Sequence, residues 1–111
     1  ADNGATTANI FEARDAGTAI FTIADGGTVT IANKLNITTG SNKTAGLSGA
    51  MTAGTITIST TAATASSLIF LTPVGAGTGQ ISLGTVTAGT SFVINSSDVL
   101  DTRTVQWWII N

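Results

Sequence analysis

The sequence predicts an all-β protein: a short N-terminal β-meander followed by an antiparallel β-sandwich or jelly-roll-like domain. β-Branched residues are abundant, and apolar residues alternate with Thr and Ser at a period of two along several segments. Asp-Gly pairs and Gly-rich stretches separate these segments. Residues 62–67 are the only stretch that could hold a helical turn, and their Thr and Ser weaken it.

The first 39 residues are predicted to form a meander of about four strands. Residues 9–14 and 18–24 alternate in polarity across the short turn at residues 15–17. The tight turn Asp25-Gly26-Gly27 then leads into a strand at residues 28–31. Residues 33–39 are predicted as a further strand, with Leu35 and Ile37 on one face.

Residues 40–50 are predicted to be a loop or linker from their Gly, Ser and Asn content, which leaves residues 51–111 as the second domain. Ile56 and Ile58 are expected to point inward from a strand. Residues 68–71 are apolar on both faces, as in a central strand, and Pro73 should end that strand. Residues 74–79 are predicted to form a loop. The predicted strands are residues 55–60, 68–71, 80–87, 90–96 and 103–110.

The C-terminal strand is the most informative segment, because chain ends are usually polar and this one is apolar. Trp107 and Trp108 are adjacent, so they should face opposite sides of a sheet. One can enter the core while the other meets a second subunit or a sugar. The subunit contact is favoured, since Val105, Ile109 and Ile110 make both faces apolar. Candidate subunit-interface residues are Phe92, Trp107, Trp108 and Ile110.

Low charge supports association between copies of the chain. Charged residues are 9% of the total, against about 25% in a typical soluble domain. The few basic residues are scattered and the net charge is −2, which argues against nucleic acid as a partner. No apolar run is long enough to insert into a membrane.

The side chains predict no enzyme and no cofactor. The chain has no His, Cys or Tyr, which removes the commonest general base, the thiol nucleophile and the phenol acid. Asp98 and Asp101 are interpreted as turn-forming residues, with Arg103 as a salt-bridge partner, in preference to a carboxylate pair for glycoside hydrolysis. Their spacing matches no calcium loop, so no metal is predicted.

Polar loops at one end of the sandwich are the candidate ligand-binding site. Residues 74–79 and 96–102 are rich in Gly, Ser, Thr and Asp, and loops of this kind on a rigid sheet commonly carry recognition. The candidate residues are Gly75, Thr78, Gln80, Ser97, Asp98 and Asp101.

Two regions resemble bacteriophage tail fibres and tailspikes. Residues 9–31 resemble a fibre-shaft meander. The C-terminal region is similar to the distal domain of such proteins in three ordered motifs: Ser67-Leu-Ile-Phe-Leu-Thr-Pro73, Thr87-Ala-Gly-Thr-Ser-Phe-Val-Ile-Asn-Ser96 and Asp101-Thr-Arg-Thr-Val-Gln-Trp-Trp-Ile-Ile110.

The resemblance implies an extracellular homotrimer on the virion, with a distal domain that trimerises and recognises a receptor on the host surface, such as a glycan or lipopolysaccharide. Trp107 and Trp108 would then lie in the closing strand of each subunit. Two other functions fit the composition: a carbohydrate-binding module of a secreted glycosidase and a repeat of a bacterial surface adhesin. A module would be monomeric, so oligomeric state separates it from the trimeric domain.

Overall fold

The computed structural model describes residues 8–111, and within them the fold is all-β, as the sequence predicts. The strands form three antiparallel sheets of three strands each. They are β1 (Phe11–Asp15), β2 (Thr18–Ile23), β3 (Val29–Ile31), β4 (Ala45–Leu47), β5 (Thr55–Ser59), β6 (Leu68–Pro73), β7 (Ile81–Thr87), β8 (Ser91–Ser96) and β9 (Val105–Ile110). The chain divides into two compact units, Ala1–Asn36 and Ile37–Asn111.

The first unit contains a meander with strand order β1-β2-β3. Ala16 and Gly17 both have positive φ, 46° and 82°, the turn type that matches the twist of a two-residue hairpin. The register pairs Phe11 with Ile23 and Phe21 with Ile31, which places apolar side chains on one face. Glu12 and Arg14 form a partly exposed ion pair next to the β1 bulge.

The meander has three strands among the described residues, and the predicted strand at residues 33–39 is wrong. This segment forms no strand and pairs with none of the described strands, and Leu35 is 66% exposed. An alternating apolar and polar pattern gives a β-strand only where a second strand supplies hydrogen-bond partners for the backbone N–H and C=O groups. The boundary between the two units falls inside this segment, between Asn36 and Ile37.

The second unit is a sandwich of the sheets β4-β9-β6 and β5-β8-β7. Ile58, Phe92 and Ile94 enter the core from one sheet, while Val105 and Trp107 enter it from the other. The rings of Phe92 and Trp107 meet edge to face, with centroids 5.4 Å apart. Ile56 and Ile58 point inward from β5, as predicted.

Two predictions about this unit differ from the structure. Residues 40–50 are not entirely loop, because they contain the short strand β4, which pairs with β9 at the edge of its sheet. Residues 68–71 are not a central strand: β6 is an edge strand, and Phe70 is half exposed. Pro73 still ends this strand, where it pairs with Val105.

Candidate functional site

The predicted ligand-binding loops lie side by side. The Thr78 hydroxyl donates a hydrogen bond of 2.8 Å to Oδ2 of Asp98. The backbone N–H of Gln80 donates to the Ser97 hydroxyl at 2.9 Å, and the Ser97 N–H donates to the Gln80 carbonyl at 3.0 Å. We call Thr78, Gln80, Ser97, Asp98, Asp101 and Arg103 the loop cluster. Gly75, the remaining predicted residue, lies outside these contacts, in a left-handed turn position with φ 85°.

Asp101 is the buried centre of the loop cluster. Its carboxylate accepts two hydrogen bonds from Arg103: Nε donates to Oδ1 at 2.9 Å and Nη2 donates to Oδ2 at 2.6 Å. This bidentate geometry is typical of guanidinium–carboxylate pairs. The Ser96 hydroxyl also donates to Oδ2, at 2.7 Å. Arg103 holds the pKa of Asp101 well below its usual range, because its hydrogen bonds stabilise the ionised carboxylate.

The pair confirms the salt-bridge interpretation of Asp101. Arg103 Nη2 also donates a hydrogen bond of 2.6 Å to the carbonyl oxygen of Gly79. This bond joins the β8–β9 loop to the β6–β7 loop. Sequence reasoning assigned Arg103 only to an ion pair and left it out of the candidate binding site. The short Asp-x-Arg spacing is the signal that placed it beside Asp101.

Asp98 is the more accessible carboxylate of the loop cluster. The Leu100 N–H donates to Oδ1 of Asp98 at 2.9 Å, and this bond, followed by that from Thr78, lowers the pKa of Asp98. A small depression of about 170 Å3 lies here, lined by Thr78, Asp98 and Arg103 together with the 82% exposed Leu100. The depression therefore offers carboxylate oxygens, a hydroxyl, a cation and an apolar edge to a small polar group.

A second surface lies on the outside of the sheet β4-β9-β6. The register places large apolar side chains of three adjacent strands on this face, where they are exposed: Leu47, Leu68, Phe70, Trp108 and Ile110. We call these five residues the outer face. The rings of Phe70 and Trp108 are 6.2 Å apart, and strands β4, β6 and β9 carry no charged residue.

The predicted interface residues divide between this face and the core. Trp108 and Ile110 are 47% and 39% exposed and belong to the outer face. Phe92 and Trp107 are 0% and 5% exposed, because both side chains pack in the hydrophobic core of the sandwich. The two adjacent Trp residues therefore do face opposite sides of the sheet, as the sequence predicts.

The described residues contain no group of three or more His, Cys, Asp or Glu side chains arranged to hold a metal ion. The two carboxylates of the loop cluster accept hydrogen bonds from neighbouring protein groups. No helix of membrane-spanning length and apolarity is found in residues 8–111.

The chain belongs to the family described as K1 capsule-specific polysaccharide lyase, C-terminal domain, whose model matches residues 42–110. The match covers every strand of the sandwich, from β4 to β9, and confirms the tailspike-like character of this part. No curated protein and no solved structure matches the chain.

Proposed function

We propose that this chain is a non-enzymatic structural and adhesive domain of a phage tail fibre or tailspike. It forms a homotrimer on the virion, outside the cell, and recognises a host-surface glycan. The outer face is the observation on which the assembly proposal rests, and the family match supports the tailspike setting.

The outer face has the chemistry of a contact between copies of the chain. Its five half-exposed side chains offer roughly 500 Å2 of apolar surface, at the upper end of what a soluble monomer leaves open. A standard interface buries about 800 Å2 per partner, so the outer face would supply most of its apolar centre. Because no charged side chain lies on these strands, a second apolar face can cover it without desolvating an ion.

Recognition is proposed for the loop cluster. Its two loops are tied to each other by Arg103, and Thr78 and Asp98 are joined by a hydrogen bond, so the two side chains are presented together. A carboxylate and a hydroxyl can accept or donate hydrogen bonds to sugar hydroxyls, and Leu100 can pack on the apolar side of a sugar ring. Three such weak sites on one trimer would bind a polyvalent surface with high avidity.

Absence of catalysis by this domain is part of the proposal. The family takes its name from a polysaccharide lyase, but the carboxylates of Asp98 and Asp101 here are held in structural hydrogen bonds. With no His or Tyr in the chain, no side chain is available as a neutral-pH base or as a phenol acid.

Assembly is tested by the mass of the chain in solution. Light scattering coupled to gel filtration should give three times the 11.1 kDa chain mass at micromolar concentration. A monomer of 11.1 kDa would contradict the trimer and favour a carbohydrate-binding module.

Recognition is tested with oligosaccharides prepared from a K1 capsular polysaccharide, the substrate in the family's name. In NMR titrations the amide signals of Thr78, Ser97 and Asp98 should shift, and Asp98→Asn should weaken binding roughly threefold to tenfold, as expected for one lost hydrogen bond. Asp15→Asn, which changes an exposed carboxylate of the meander turn, is the matched control. Shifts confined to the meander would refute this site.

A further inference from the structure

A groove runs along the open side of the sandwich, between β4 and β5. Both strands are edges of their sheets. The groove has a volume of about 360 Å3 and is lined by residues of these strands, by Ser41 and by the indole of Trp107. This volume lies within the range of small-ligand sites, whereas the depression at the loop cluster is smaller.

Trp107 brings an unpaired donor to this groove. Its side chain is 95% buried, and Nε1 finds no hydrogen-bond acceptor among the described residues. The ring edge that carries Nε1 lies against Gly46, where an added Cβ would come within 2.6 Å of Cζ2 and 3.2 Å of Nε1. Indole N–H groups are donors only, and buried ones are usually hydrogen-bonded. An acceptor supplied from outside the chain would therefore remove the energetic cost of a buried N–H group without a hydrogen bond.

The rest of the groove is uncharged and amphipathic. Leu47 and Ile56 contribute apolar surface, and Ser41, Thr57 and Ser59 are exposed residues with hydroxyl groups. None of these three hydroxyls makes a side-chain hydrogen bond elsewhere in the described part of the chain. A sugar ring has the matching surface, since its C–H groups pack on aliphatic side chains while its hydroxyls both donate and accept.

We propose that this groove binds one or two sugar units of a polysaccharide, with a sugar oxygen accepting the hydrogen bond from Trp107 Nε1. The inference rests on the proposed glycan recognition and adds a second site to it, separate from the loop cluster. Nε1 itself is covered, so the sugar oxygen reaches it only after a small outward movement of β4, which pairs with β9 over three residues and is also tied to it by hydrogen bonds at Thr44 and Ser48.

A strand from another copy is the competing occupant, because β5 presents an unpaired edge. The chain closes one end of this edge: Thr60 donates its hydroxyl to the Lys43 carbonyl at 2.8 Å, and the Thr61 N–H donates to the Asn42 side chain at 3.3 Å. An added strand needs a long open edge, whereas a sugar needs only a short one. The short groove therefore favours the sugar.

The two indole N–H groups of the chain give the experiment its readout. In NMR titrations with the K1 capsular oligosaccharides and with cellotetraose as an uncharged probe, the Trp107 indole signal should shift in a saturable way, together with the amides of Thr57 and Ser59. The Trp108 indole is the internal reference. Ser59→Ala should weaken this binding roughly threefold to tenfold. Ser82→Ala, an exposed serine on β7 at the other edge of the same sheet, should not.

Each outcome decides between the two sites. Shifts at the loop cluster alone would overturn the groove proposal and leave the proposed function intact. Shifts at Trp107 alone would support the groove and remove the loop cluster as a glycan site. A Trp107 signal that moves on protein dilution without sugar, while the Trp108 signal stays fixed, would show that another copy occupies the groove, which overturns the inference. Silence of Trp107 with both probes at millimolar concentration would also overturn it.

Discussion

Replacing Trp108 by alanine separates assembly from folding. Trp108 lies in the middle of the outer face, beside Phe70, and is 47% exposed in the single chain. Its neighbour Trp107 lies on the opposite side of the same strand, within the core. The two adjacent residues therefore offer the same substitution on an outer and an inner surface.

The exposed part of the Trp108 side chain amounts to on the order of 100 Å2. At about 25 cal/mol per Å2, covering it would contribute about 2.5 kcal/mol per subunit, or roughly 60-fold in affinity. A trimer contains three copies of the change, for a total of about 7.5 kcal/mol. The corresponding loss for Trp107→Ala is a folding loss of about 3–5 kcal/mol, because that substitution empties a core position.

Sedimentation velocity over a range of concentrations measures the association, and thermal melting followed by circular dichroism measures the fold. Trp108→Ala should dissociate at concentrations where the wild type is trimeric and should keep its β-sheet spectrum. Trp107→Ala should lose most of its cooperative melting transition. Gln106→Ala, on the outer side of the same strand, is the control and should behave as the wild type. A Trp108→Ala protein that stays trimeric with unchanged affinity would refute the assignment of the outer face.

Four further predictions concern the sandwich. Because Arg103 lowers the pKa of Asp101, the ion pair contributes stability that is present above the unfolded pKa of about 4 and is lost as the pH falls below it. Melting temperatures of Asp101→Asn should therefore be lower than wild type at neutral pH and should fall less steeply in acid; parallel curves would contradict this. In the turn before β5, Ala53 has a φ of 52°, so Ala53→Asn should stabilise the chain by up to about 1 kcal/mol in urea unfolding. Gly54→Ala should destabilise it by more than about 2 kcal/mol, since the new Cβ would lie 2.6 Å from the Asp98 carbonyl oxygen; equal midpoints would exclude the clash. Incubation with K1 capsular polysaccharide should leave the polymer length unchanged, and chain shortening that Asp98→Asn abolishes would show catalysis.

Most strands could be predicted because their signals are local. The alternation of Ile56 and Ile58 with Thr, and the positions of Gly and Asp in the turns, fix strand and loop without reference to distant residues. Strand β4 could not be found in this way. Ala45-Gly46-Leu47 has a loop-like composition, and it is a strand only because β9 offers it a pairing edge and the indole of Trp107 fills the space at Gly46.

For residues 33–39 the prediction errs in the opposite direction: the apolar and polar residues alternate as in a strand, but no partner strand pairs with them. Residues 68–71 show the same limit, because an apolar run is compatible with both a central and an edge strand. Their place at the edge, with Phe70 half exposed, depends on which strands flank β9. Pairing partners are distant in sequence, and no local pattern specifies them.

The sequence by itself determined the all-β class, the opposite facing of Trp107 and Trp108, the turn and ion-pair roles around Asp101, and the resemblance to a tailspike-like C-terminal domain. These depend on side-chain period, turn chemistry and short spacings, which the chain carries locally. Only the tertiary structure decided which strands are edges, that five apolar side chains share one outer face, and that the Trp107 N–H lies unpaired beside a groove. Those features arise from contacts between residues as far apart as Gly46 and Trp107, and such contacts exist only once the strands have paired and the two sheets have packed.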